Sequence, residues 1–242
     1  MWTWMVWWTI AVAGPAPTLP AALQQATAWR PLRLVQGAPT ISADEYARVA
    51  KGEVVTGLRS VDGVAAKKSY GVAVVDVSID RLWGAINDEA LHAQYTSLDY
   101  AELVSGAPCT SGRHVFQYLP SGVPMIDDRW WVTIRTLNPN LAMASGGKAR
   151  ELTWENAPDG SEVTSAAGKA YMAKGVMLGF TRGSWFLLAV NDHQTLVEYY
   201  TWVDPGGNLS PSVMSWFATK TILKTFESMA EISKDPRLRC AS

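Results

Sequence analysis

Hydrophobic and polar positions along the chain alternate with two periods, and the switches between them outline the elements. Ile79, Leu82, Trp83 and Ile86 recur at i, i+3, i+4 and i+7, which predicts an amphipathic helix capped by Ser78 and continuing, with a break, to Tyr95. Period-two or continuous apolar runs predict strands over Glu53–Leu58, Lys68–Val77, Leu98–Ser105, His114–Leu119, Arg129–Leu137, Arg150–Glu155, Val176–Phe180, Ser184–Val190 and Thr195–Val203. Both faces of Lys68–Val77 are mostly apolar, as expected of a strand covered on both sides. Turn clusters separate the later strands, among them Ser105-Gly106, Pro120–Pro124, Asn138–Asn140, Asp159-Gly160 and Asn191-Asp192, and short turns imply an antiparallel meander. After the last strand, Asp204-Pro205-Gly206-Gly207 forms a corner. Ser210 and Pro211 then open a long helix, as N-cap and first-turn residue, with Val213, Trp216, Leu223, Phe226 and Ala230 at helical spacing.

Near the start, Ser42-Ala43-Asp44-Glu45 is a capping box, so a helix should run to about Lys51 and end at Gly52. Pro15–Pro39 has no clear period and reads as a linker or loosely packed lead-in. Ala157–Ala173 is weakly patterned, and reads either as a mobile loop at a cavity mouth or as a surface excursion. The order is thus helix, strands, helix, more strands, final helix. A curved antiparallel sheet wrapped around one long helix satisfies it. The expected organisation is a leader over 1–28, a linker and helix over 29–52, one domain over 53–236 and a tail over 237–242.

The bulk properties narrow the function. The chain has 242 residues, 21 basic and 22 acidic, for a net charge of −1. No basic field exists to attract nucleic acid. Trp is abundant, with 12 in all, four of them (Trp2, Trp4, Trp7 and Trp8) in the first eight residues. Met1–Ala13 is apolar and shorter than the roughly 20 residues of a membrane span. It suits the h-region of a secretory signal, although no Lys or Arg precedes it; Ala11-Val12-Ala13 and Ala26-Thr27-Ala28 are cleavage sites of the right kind. Export is therefore expected, or a cytoplasmic location if the segment is no signal. Cys109 and Cys240 lack metal spacing but could pair in an exported chain.

Three blocks carry a family resemblance. Leu196–Gly207 followed by Leu209-Ser210-Pro211 resembles the end of START lipid-binding domains. Asp127-Asp-Arg-Trp-Trp-Val-Thr-Ile-Arg135 is similar to that family's Arg-Asp-aromatic-Val-x-Val-Arg strand. Lys174–Phe180, Gly183-Ser184-Trp185 and Thr195-Leu196-Val197 are similar to its consecutive strands before the closing corner. Leu82, Trp83 and Ile86 fit its Val-Trp-x-x-Leu helix. The resemblance covers Glu53–Asp235 and departs where Trp130, not Asp, follows Arg129. It implies a bacterial member of the START-like superfamily, of α+β class. The implied architecture is a helix-grip fold, with a curved antiparallel sheet wrapped around a long C-terminal helix and an internal hydrophobic cavity.

The central strand has two faces, Trp130, Val132 and Ile134 on one and Arg129, Trp131, Thr133 and Arg135 on the other. Pattern alone puts the apolar face inward. The resemblance instead puts the residue matching Arg135 in the cavity, where it meets a carboxylate or a ligand head group. The expected ligand site comprises Arg135 as orienting group, Thr133, walls of Trp131, Trp154, Trp185 and Tyr199, and a cover of Val213, Trp216 and Phe217.

The expected partner is a lipid or other hydrophobic small molecule, with transient membrane contact left open. No nucleic acid, cofactor or metal is expected, and the chain should be a monomer. Catalysis would need placed acids, bases or nucleophiles. His92, His114 and His193 are far apart, although His114 could face inward, and Asp127-Asp128 reads as a turn with local ion pairs. Gly146-Gly147-Lys148 lacks the helix of a phosphate loop. The alternative is a polyketide cyclase or aromatase-like enzyme using the same cavity.

Overall fold

A computed structural model describes residues 18–122, 125–204 and 211–240, with the backbone alone for residues 65 and 211–220. The corner 205–210 and residues 1–17, with the apolar stretch read above as a secretory signal, lie outside the described residues. Within them the chain forms α1 (Leu19–Ala26), α2 (Ala43–Val49), β1 (Val55–Val61), β2 (Val64–Val75), α3 (Ile79–Asn87), α4 (Glu89–Tyr95), β3 (Tyr100–Ser105), β4 (Arg113–Leu119), β5 (Asp128–Leu137), α5 (Pro139–Ala144), β6 (Ala149–Asn156), α6 (Ala166–Met172), β7 (Gly175–Met177), β8 (Phe180–Ala189), β9 (Thr195–Asp204) and α7 (Pro211–Ile232).

The strands make one open sheet in the order β1-β2-β9-β8-β6-β5-β4-β3, antiparallel throughout that path, with β7 pairing β5 in parallel. The last strand thus lies against the second, a pairing that a simple meander does not give. Period-two alternation on β9 is what permits it. Leu196 and Tyr200 face one way into a core with Val72 and Phe186, while Val197 and Tyr199 face the other.

The inner face is gripped by α3, α4 and α7. Ala73, Leu152, Trp185, Leu187 and Val197 from the sheet pack with Leu82, Ile86 and Leu91 from α3 and α4 and with Ile222, Phe226, Met229 and Ile232 from α7. Glycine sets how close the last helix comes. A Cβ on Gly71 would lie 2.4 Å from Ile222 Cγ2 and 3.0 Å from Phe226 Cζ, so only a residue without a side chain lets α7 seat on β2. The C-terminal end of α7 is tied down. Arg81 donates to the Ser233 and Asp235 carbonyls, Tyr95 donates to Asp235 at 2.7 Å, and Arg239 pairs with Asp88 at 2.6 Å. A disulfide joins Cys240 to Cys109, with Cα atoms 5.5 Å apart.

The outer face is covered too, and here the sequence reading needs correction. The described part of the expected lead-in, residues 18–39, is not loose: it forms α1 and a short 3₁₀ turn at Arg30–Leu32. Leu19, Ala22 and Ala26 are buried against Val72, Phe186, Leu188 and Leu196. Pattern missed it because its apolar residues are mostly Ala. Ion pairs lock the segment in place. Arg33 bonds the wholly buried Glu151 at 3.0 Å and Glu198 at 3.1 Å, and Arg30 and Tyr46 also bond Glu198. Leu34 N–H and the Asn138 amide complete Glu151 at 2.6 and 2.9 Å.

Other elements also differ from the pattern. The expected turn at Asn138–Asn140 is the start of α5, since Asn138 caps it by accepting from Leu141 N–H at 3.0 Å. The capping box is present: Ser42 accepts from Glu45 N–H, and Glu45 accepts from Ser42 N–H at 2.8 Å. The strand expected over Val176–Phe180 divides at Leu178-Gly179 into the end of β7 and the start of β8. Ala157–Ala173 contains α6, which covers the outer side of β3–β5; Tyr171 stacks on Tyr100 at 4.7 Å, beside Phe116, Tyr118, Trp130 and Val132.

Candidate functional site

The central strand's two faces are both buried, which defeats the pattern argument for which of them is inward. Trp130, Val132 and Ile134 pack on the outer side under α6. Trp131, Thr133 and Arg135 occupy the side that faces α3, α4 and α7, as Arg135 donates to Ile86 O and to Glu89 of α4. An apolar face marks burial, not the interior of a grip, when a second layer covers the sheet's back.

Cross-strand register carries that side across the sheet. Arg135 lies opposite Trp154, Leu152 opposite Trp185, and Trp185 opposite Tyr199. Trp154 and Tyr199 stack at 5.7 Å, Trp185 and Tyr199 meet at 4.4 Å, and Phe226 of α7 stands edge-on to Tyr199 at 6.3 Å. Such pairs add about 0.5–1.5 kcal/mol beyond area burial and make a stiff wall. Gly183 allows it: a Cβ there would fall 2.3 Å from the Trp154 ring. Six of the nine expected site residues (Trp131, Thr133, Arg135, Trp154, Trp185 and Tyr199) therefore share this side. The side chains of the other three, Val213, Trp216 and Phe217, lie outside the described residues.

Beside the aromatic wall is a buried polar cluster around Arg135, whose partners the sequence reading missed. Glu89 Oε1 accepts from Arg113 at 2.9 and 2.6 Å and from Arg135 at 3.0 Å. Arg113 is fully buried and also donates to Asn87 Oδ1 and Thr110 O. Gln117 Oε1 accepts from Arg135 at 3.2 Å and from Trp131 Nε1 at 3.0 Å. Within the cluster, Arg135 Nε and Thr133 Oγ1 are buried with no hydrogen-bond partner among the described residues. One signal could have found the partners. Arg113, Val115 and Gln117 alternate on β4, and two polar residues on one face of an otherwise apolar strand need company. Glu89 carried no signal, because a carboxylate in a short helix normally faces water.

The cluster's charges follow from its burial. Desolvation would raise Glu89, but the guanidinium charges of Arg135 and Arg113 outweigh it and hold the carboxylate below its usual range. Desolvation brings Arg135 down to about 10, opposed by Glu89 and aided by Arg113. Burial, then the Arg135 charge, depresses His92 to about 4, so the ring is neutral where its Nε2 meets Ala85 O at 3.0 Å. Burial pushes the Tyr199 phenol up to about 12.

His92 has a measurable consequence. Its proton is bound less readily in the fold than in the unfolded chain, so the unfolded state takes up protons first as pH drops. The contribution of neutral His92 is complete above about pH 6.5 and is lost as pH falls towards 4, by up to about 3 kcal/mol. Urea midpoints should therefore fall between pH 7 and pH 5, and a His92→Gln variant should show a clearly flatter profile. An equally steep profile in that variant would assign the loss elsewhere.

The remaining histidines and acids lie apart from this side. His114 is on the outer face with Nδ1 2.6 Å from Glu162, contrary to an inward placement. His193 is exposed in its turn, and Asp128 accepts from Tyr118 and from Ser121 N–H. Among the described residues no cluster of three His, Cys, Asp or Glu could hold a metal, and no helix is long and apolar enough to cross a membrane.

Comparison with solved structures places the architecture. A STAR-related lipid transfer protein fragment from Xanthomonas axonopodis superposes with a TM-score of 0.61 at 14% identity, over 82% of this chain and 98% of that one. Human StAR-related lipid transfer protein 5 gives 0.61 at 14%, over 89% and 97%. The Zhui aromatase/cyclase of a Streptomyces species gives 0.50 at 11%, over 73% and 98%. No family model matches the chain, and no curated protein sequence does.

Proposed function

From a START-like helix-grip fold, α+β with an open nine-stranded sheet, we propose that the protein binds a hydrophobic small molecule, a lipid or a compound of similar character, between the inner face of its sheet and α7. The observation that carries this reading is the composition of that side. An aromatic wall of Trp131, Trp154, Trp185 and Tyr199 stands around one charged cluster, whose Arg135 Nε and Thr133 Oγ1 have no hydrogen-bond partner among the described residues. Ligand sites of this kind combine apolar lining with a few placed polar groups that set orientation. The solved lipid transfer structures share the fold, which supports the reading.

We further propose export. A disulfide suits an oxidising compartment. Cleavage after Ala13 would keep α1, whose Ala26 is wholly buried, whereas cleavage after Ala28 would strip α1 from the sheet. Mature protein should therefore begin close to residue 14, as N-terminal sequencing would read.

The test is direct. Protein purified from its native host and extracted under denaturing conditions should release a hydrophobic small molecule detectable by mass spectrometry, and Arg135→Leu should change which molecule is retained. The similarity to the aromatase/cyclase keeps an enzymatic use of the same site as the competing outcome. Multiple turnover of an aromatic-precursor substrate would establish that outcome instead.

A further inference from the structure

The charged cluster contains more positive than negative groups, and the excess is on the side of the aromatic wall. Arg113 and Arg135 share one carboxylate, Glu89. The other ionisable groups packed around it do not restore the balance. His92 is neutral, the Tyr199 phenol keeps its proton, and Asp88 is matched by Arg239. Arg113 uses its three nitrogens on Glu89, Asn87 and Thr110. The uncompensated charge therefore resides at Arg135, which is buried and whose Nε has no acceptor among the described residues.

The uncommitted groups are all donors or can be. Arg135 Nε carries one N–H. Thr133, two residues earlier on the same face, has a buried hydroxyl with no partner among the described residues. Gln117 has its oxygen taken by Arg135 and Trp131, which leaves the amide's N–H donors. A buried guanidinium lacking a full set of acceptors is costly, and an anion removes that cost through charge-assisted hydrogen bonds. A monoanion brings the cluster to zero, whereas a dianion would overshoot it.

We propose that the ligand is an amphipathic monoanion whose carboxylate seats on Arg135 Nε and Thr133 Oγ1, with its apolar body against Trp154, Trp185 and Tyr199. This rests on the hydrophobic-ligand reading above and narrows it to a class. Neutral amphiphiles of equal length leave the same positive charge unmatched.

The experiment is a titration of the full chain, freed of copurifying molecules, with palmitate and with hexadecanol, followed by tryptophan fluorescence and calorimetry. Palmitate is expected to bind at least tenfold more tightly. Arg135→Gln, in which Arg113 still neutralises Glu89, should erase that preference. Thr133→Val should narrow the palmitate-over-hexadecanol preference severalfold, and it decides the matter should Arg135→Gln not fold. Equal affinities in the wild-type protein, or a preference that survives these substitutions, would overturn the monoanion but not hydrophobic binding. Failure of both probes to bind would overturn the two together.

Discussion

Replacing Arg30 and Arg33 together by Ala is expected to leave the chain without a cooperative fold at neutral pH. These two guanidiniums are the cations bonded to Glu198 and, through Arg33, to Glu151, and both carboxylates lie beneath the N-terminal segment. Removing one partner of a buried pair costs about 3–5 kcal/mol, because the remaining charge stays desolvated. Domains of ordinary size have only about 5–15 kcal/mol in total. The two losses share Glu198, so they will not simply add, yet the double variant still forfeits most of that margin. Near-ultraviolet circular dichroism and urea unfolding would show it. Adding Glu151→Gln and Glu198→Gln should restore a folded protein, since no bare charge then remains.

The pH dependence separates this account from a mere loss of packing. In the wild-type chain, burial would raise Glu198, but the Arg30 hydrogen bond and the charges of Arg30 and Arg33 hold it below its ordinary value. The stability it contributes is present above about pH 4.5 and is lost as pH falls through the lower folded value. In the double variant the cations are gone and desolvation prevails, so acid should stabilise it. A variant that weakens in acid just as the wild type does would contradict the role assigned to the pairs.

Reducing the disulfide is expected to have the second largest effect. Cys109 and Cys240 are 131 residues apart in sequence. Closing a loop of that size removes unfolded-state entropy worth about 5 kcal/mol. Measured losses on removing native bridges run at about 2–5 kcal/mol. Urea midpoints with and without a phosphine reductant should differ by an amount in that range, and Cys109→Ser should reproduce the reduced value. The fold itself should survive in mild conditions, because Arg239–Asp88 and Tyr95–Asp235 still hold the tail. An unchanged midpoint would mean that the bridge constrains nothing the unfolded chain would otherwise explore.

Much of the architecture was legible because it is written in local periods. The strands, the capped helix at Ser42 and the α3–α4 pair rest on alternation, helical spacing and caps, which neighbouring residues decide among themselves. The elements that escaped notice were α1, α5 and α6. These are short and Ala- or Gly-bearing, and sheet faces far away in sequence hold α1 and α6 in place. For the same reason Arg135 and its strand neighbours could be listed while their meaning stayed open. Whether a strand face is interior depends on which layers cover each side, and pattern alone puts Trp130, Val132 and Ile134 inward.

By itself, then, the chain's order of residues determined the strands and the capped or strongly periodic helices and, through its likeness to START domains, how they are arranged, because backbone geometry makes side-chain periodicity a local property. Only tertiary packing decided that Glu89 of α4 serves Arg113 of β4 and Arg135 of β5, and that Arg30 and Arg33 lie over Glu151 and Glu198. A buried charge is tolerable only beside its opposite. That opposite can come from anywhere in the chain, so no window of sequence can announce it.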